Sequence, residues 1–138
     1  MIANMRSKQK GFSVIEVLIV LVLIGILIQM LAPVLGSYIV RSNRSDAIKS
    51  LSAMQIAQEK WRLNSTSYGT LAQIWTTGAT NSLSKLYDMT VTVNTTNAYT
   101  LVANAPAGYA QNADDSCTTM TITYANGTST QTPTTCWQ

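Results

Sequence analysis

A chain of 138 residues has room for one modest domain and one dedicated membrane segment. It contains no histidine, which excludes a histidine-based triad and any histidine metal site, and its formal charge of +3 is easily mistaken for a nucleic-acid signal. Arg6, Lys8 and Lys10 account for all of that charge; from residue 12 onward six cations meet six anions, so no cationic surface for DNA is expected.

Residues 1–11 form a hydrophilic leader, with Met1 or Met5 as initiator, that ends in Lys10 and Gly11. Phe12, Ser13, Val14, Ile15 and Glu16 follow, and residues 17–35 are apolar except for Gln29. A bilayer core about 30 Å thick needs roughly 20 helical residues, so this run reaches across. A secretory signal would be shorter, about 7–15 apolar residues, and would close on small residues at a cleavage site. Leu31, Ala32, Pro33, Val34 and Leu35 offer no such site, so the segment is retained. The leader cations place the N-terminus on the cytoplasmic side, although Arg41 and Arg44 beyond the span weaken the asymmetry.

One long helix is expected from residue 12 to about 63. Gly25 and Pro33 are its weak points, with a bend or local unwinding expected at Pro33 because proline removes a donor and clashes with the preceding turn. Beyond Ser37 the composition turns polar while Ala47, Ile48, Leu51, Met54, Ala57 and Trp61 keep helical spacing, an apolar stripe that something must cover. Arg44, Lys49, Gln55, Glu59 and Arg62 lie largely off it.

Residues 64–87 have no clean periodicity; Leu71, Ile74 and Trp75 read as an anchoring cluster. Residues 89–93 and 120–124 alternate with period two, and 99–103 is a third strand-like run. The polar gap 94–97 suits a hairpin and Asn126-Gly127 is a strong two-residue turn, after which a short threonine-rich edge strand returns towards Cys136. The predicted class is α+β: a long N-terminal helix, its first half transmembrane, packed on a four-stranded antiparallel sheet. If the C-terminal portion is exported, Cys117 and Cys136 are expected to be oxidised, with two free thiols as the alternative. Asp114-Asp115 supplies too few oxygens for calcium and reads as a solvated loop; Trp61, Trp75 and Trp137 read as core or core-edge anchors, with stacking on single-stranded DNA as a remote alternative.

The basic leader ending in glycine, the aromatic Phe12, Glu16 four residues on and the apolar helix carrying Gly25 and Pro33 together resemble type IV pilins and the related pseudopilins. Residues 38–47 resemble the helix continuation of pilus subunits, and the late cysteines with the terminal Cys136-Trp137 resemble small minor pilins. The resemblance implies that prepilin peptidase cuts between Gly11 and Phe12 and N-methylates Phe12, and that Glu16 serves methylation and docking into the filament. It implies a disulfide between Cys117 and Cys136, and helix flexibility between Gly25 and Pro33. Ser13 and Val14 stand where the family usually has threonine and often leucine.

On this reading the chain comprises a leader (1–11), a transmembrane or filament-core helix (12–36) and a pilin head (37–138). It is a structural subunit, a minor pilin, without enzymatic activity or cofactor, acting in pilus-dependent motility, adhesion or DNA uptake. Its implied partners are other pilin subunits, prepilin peptidase, the assembly platform in the inner membrane and, before assembly, membrane lipid; no direct nucleic-acid partner is expected. The head is expected in the periplasm before assembly and outside the cell afterwards. Competing readings are a pseudopilin of a type II secretion system and a tip adhesin or DNA receptor within the pilus.

Overall fold

The computed structural model describes residues 11–75 and 79–137, with the backbone alone at 32–34. The leader calls at residues 1–10 and the side chain of Pro33 therefore lie outside the described residues. The chain divides into two compact units, Met1–Gly36 and Ser37–Gln138.

Helix α1 spans Val14–Arg62, starting two residues later than expected and ending where Asn64 and the serines beyond it compete for backbone bonds. It is unbroken through Gly25 and residue 33, so the local unwinding expected at Pro33 is not found here. A proline forfeits one helical bond, and the turns on either side retain theirs. Between Val14 and Leu31 the helix is long and apolar enough to cross a membrane, with a mean hydropathy of 2.9 and no side chain buried.

Within the second unit, α1 turns its stripe onto a four-stranded antiparallel sheet of order β1-β2-β3-β4. The strands are β1 Asp88–Thr95, β2 Ala98–Asn104, β3 Thr119–Ala125 and β4 Thr128–Thr132. Ala47, Leu51 and Met54 are fully buried against Met89, Tyr99, Leu101, Met120 and Ile122, with Ile48, Ala57 and Trp61 packed at the edge. Burying a leucine or methionine contributes roughly 1.5–3 kcal/mol each, so this stripe is the main reason that the second half of α1 is held. Asn126 and Gly127 both have positive φ, +52° and +82°, which fits the two-residue turn that joins β3 to β4. The β1–β2 connection is tighter than the polar gap suggested. The register shifts between Val93 and Thr95, and the Asn94 amide donates to Thr100 Oγ1 at 2.8 Å.

Strand alternation sends the other set of side chains outward. Thr92, Thr100, Thr123 and Thr130 align in one row across all four strands, and Thr90, Val102, Thr121 and Thr132 in the next. No charged side chain interrupts these rows.

Among its described residues, the aperiodic region 64–87 contains one short helix, α2 Leu71–Ile74, which buries Ile74 as part of the expected anchor. Gly69 and residues 82–84 are held by polar side chains on the core face of α1 that the apolar stripe did not reveal. Asp46 accepts from Ser82 Oγ (2.5 Å) and from the Ser84 amide (2.8 Å); Ser50 Oγ accepts from the Leu83 amide (2.9 Å). Lower on the helix, the buried Gln58 amide clasps Gly69, donating to its carbonyl at 2.7 Å and accepting from its N–H at 2.8 Å. Buried backbone groups without partners are costly, so these side chains stand in for a sheet or helix ladder.

Candidate functional site

The candidate site lies at the start of α1. Gly11, Phe12 and Ser13 precede the helix, Phe12 is 83% exposed, and nothing stands within 4 Å of the space a side chain at Gly11 would occupy. Ser13 carbonyl accepts from the Glu16 and Val17 amides, closing the first turn. Glu16 sits in that turn, where a carboxylate complements the partial positive charge of the helix N-terminus. Phe12, Glu16, Val17, Val20 and Leu21 line one shallow apolar groove of about 320 Å³, so the junction and the carboxylate share a face. Among the described residues, no side chain pairs with Glu16.

The described residues contain no group of three or more cysteine, aspartate or glutamate side chains placed to hold a metal ion. A lone carboxylate on an exposed apolar helix has one evident chemical capacity, to accept a cation supplied from outside. Gly25 has open space around it, so a neighbouring helix can approach closely.

The head presents a different kind of order. Cys117 and Cys136 form a disulfide with Cα atoms 5.7 Å apart, tying the entry of β3 to the turn after β4. Between β2 and β3, a one-turn 3-10 segment, Ala110–Ala113, lies against α1. Gln111 Nε2 donates to the Val40 carbonyl (2.8 Å) and to the Tyr87 hydroxyl (2.7 Å). Asp114 is 6% exposed and forms a two-pronged ion pair with Arg44, at 2.5 and 2.6 Å. The expectation of a solvated loop at Asp114-Asp115 therefore fails for Asp114 and holds for the exposed Asp115. Arg44, expected off the buried face, turns inward to meet it, and the bond with Asp114 raises the guanidinium pKa further. No local pattern signals a partner 70 residues away. Burial pushes the Tyr87 hydroxyl up to about 12, against the opposing donation from Gln111.

Sequence comparison bears on both regions. A family model for the prokaryotic N-terminal methylation motif matches residues 6–31, and one described as type IV minor pilin ComP, DNA uptake sequence receptor, matches residues 33–121. The chain is a type IV pilin. The type IV major fimbrial protein FimA of Dichelobacter nodosus is 35% identical over 111 residues, covering 80% of this pilin and 69% of FimA. The type II secretion system core protein G of Klebsiella michiganensis is 28% identical over 68 residues, and the pilin spans about half of that relative's length (48%). The architecture agrees: an N-terminal apolar helix followed by a four-stranded antiparallel sheet, closed by a disulfide. The family is a structural one, and membership implies assembly with other pilins.

Proposed function

We propose that this pilin is a minor subunit of a bacterial type IV pilus, held in the inner membrane by α1 with its head in the periplasm and then moved into the filament. Prepilin peptidase cuts the exposed Gly11–Phe12 peptide and methylates Phe12, and an assembly platform supplies the energy for extraction. The observation that carries this reading is the placement of Glu16 beside Phe12 on one face of an exposed apolar helix. A carboxylate at the centre of a bilayer costs about 2.5–3.5 kcal/mol; the first turn of α1 keeps Glu16 near the interface, where the penalty is smaller, and pairing relieves what remains. Cleavage creates an amine at Phe12, and the Phe12 amine of a neighbouring subunit is the natural partner for Glu16. Gly25 and Pro33 mark the stretch that loses helical order as α1 exchanges lipid for other helices.

Two measurements test this. Mass spectrometry of sheared filaments is expected to find a chain starting at N-methylated Phe12, sub-stoichiometric to another pilin; retention in membranes with none in filaments would overturn the reading. Glu16→Ala is expected to remove the subunit from filaments while leaving its membrane level unchanged.

A second reading, a DNA receptor on the filament, is favoured by the description of the family that matches residues 33–121. It runs against the expectation of no nucleic-acid partner and against the charge balance from residue 12 onward. Contact with phosphates would make binding fall steeply with salt, and a titration of duplex DNA at two salt concentrations is the discriminating measurement. The match to a secretion-system protein covers about half of each chain; a subunit found only with a type II secretion apparatus would select that alternative.

A further inference from the structure

The end of α1 and the loop after it build a feature that the proposed role of Glu16 leaves unexplained. Ala57, Lys60, Trp61, Asn64, Ser65, Gln73 and Ile74 line a groove of about 490 Å³, within the range of about 300–1,000 Å³ common for small-molecule sites. Its floor is preorganised. Gln58 fixes Gly69 by two hydrogen bonds, and a side chain at Gly69 would meet Ile74 at 2.7 Å and Trp61 at 3.1 Å, so glycine here lets both seat closely. Arg62 reaches the Ser65 carbonyl (3.3 Å) and lies over the Tyr68 ring, holding the far wall.

Around this half-buried indole, the polar groups are free of partners within the described residues. Gln73 spends its carbonyl oxygen on Thr70, leaving its amide N–H groups to donate. The Lys60 ammonium, the Asn64 amide and the Ser65 hydroxyl have no hydrogen bond or ion pair. Unpaired neutral hydrogen-bonding groups, one cation and an indole in the lining fit a ligand with hydroxyls, one anionic group and an apolar face.

From this combination we infer that the groove binds an acidic sugar unit, a hexuronic acid within an oligosaccharide. The apolar face of the pyranose stacks on Trp61, its hydroxyls meet Asn64, Ser65 and Gln73, and its carboxylate meets Lys60. Single-stranded nucleic acid would also stack on an indole, but it needs cations following its backbone. Here Lys60 is the lone unpaired cation of the lining, and Arg62 beside it is committed to Ser65, Tyr68 and Asn97. The inference does not depend on how the pilin assembles.

The test is a titration of the full-length pilin in detergent, followed by saturation-transfer NMR and tryptophan fluorescence. The ligands are a glucuronic acid–glucose disaccharide, the neutral glucose disaccharide and a short oligothymidylate. The acidic disaccharide is expected to bind about tenfold more tightly than the neutral one, the effect of one charge-assisted hydrogen bond. Lys60→Gln is expected to abolish that preference without changing the neutral sugar's affinity. Trp61→Ala is expected to abolish binding of both. Trp61→Tyr, which keeps a stacking face, retains binding and controls for loss of fold. Failure of both sugars to bind the unaltered pilin would overturn the inference. So would oligothymidylate binding that Trp61→Ala removes, which would assign the groove to nucleic acid, or equal losses for both sugars in Lys60→Gln.

Discussion

Arg44, on α1, and Asp114, 70 residues later in the loop before β3, meet in a part-buried two-pronged ion pair. With Gln111 bonded to the Val40 carbonyl, the pair fixes that loop to the helix at the beginning of the head. Removing one partner leaves the other charge desolvated and unpaired. Asp114→Ala is expected to destabilise the head by about 3 kcal/mol, whereas replacing both residues with apolar ones of similar size costs much less. Urea unfolding of the detergent-solubilised pilin, followed by circular dichroism, measures both; equal losses would mean that the pair is incidental.

Gly69 is held for lack of a side chain. Gly69→Ala places a methyl group 2.7 Å from Ile74 and 3.1 Å from Trp61, and overpacking of this kind costs roughly 1–3 kcal/mol. Gln58→Ala leaves the buried Gly69 N–H and carbonyl without partners and is expected to cost a similar amount. Thermal melts of the two variants and of their combination are expected to be non-additive, since both perturb the placement of Gly69.

The Cys117–Cys136 bridge closes a segment that contains β3 and β4, and β4 buries none of its side chains. Its hold on the fold is through the disulfide, backbone pairing and one long side-chain hydrogen bond, from the Gln55 amide of α1 to Ser129 Oγ (3.4 Å). Cys117→Ser with Cys136→Ser is expected to cost about 2–5 kcal/mol, with hydrogen exchange rising first in β4. Uniform loss of protection across all four strands would contradict this order.

Alkaline pH should weaken the head through Tyr87. Its hydroxyl is pushed up to about 12 in the folded state, from an ordinary value near 10.0, mainly by burial. The folded form thus holds its proton where the unfolded form releases it. The resulting stability is intact below pH 10 and falls as pH rises towards 12, by up to about 1.4 kcal/mol per unit. Tyr87→Phe, which cannot ionise, is expected to reduce the slope of that part of the pH profile in urea titrations from pH 8 to 11.5, and Tyr68 and Tyr99, also pushed up mainly by burial, carry the rest.

Period and punctuation made most of the fold legible in advance. The stripe from Ala47 to Trp61 and the strand alternations carry helix and sheet, and Asn126-Gly127 carries a hairpin, because each depends on neighbours a few residues away. What was missed depends on distant partners. Asp46, Ser50 and Gln58 look like ordinary polar helix positions until the loop 64–87 folds over them, and Asp114 looks solvated until Arg44 arrives. At Pro33 a local rule predicts a bend or local unwinding, and the helix continues without unwinding because one lost bond is a small part of α1. At the candidate site, the Gly11–Phe12–Glu16 pattern was readable because leader, junction and carboxylate are contiguous. The groove beside Trp61 was not, since Gln73 and Ile74 reach it only through α2.

The rows of threonine on the outer sheet face have a bearing on ionic strength. From Thr92 to Thr130 and from Thr90 to Thr132 there is no fixed charge for counterions to screen. Whatever this wall touches, it touches with a strength that is nearly the same in fresh water and in brine. A contact of this pilin that weakens as salt is added must therefore involve charged side chains outside these rows.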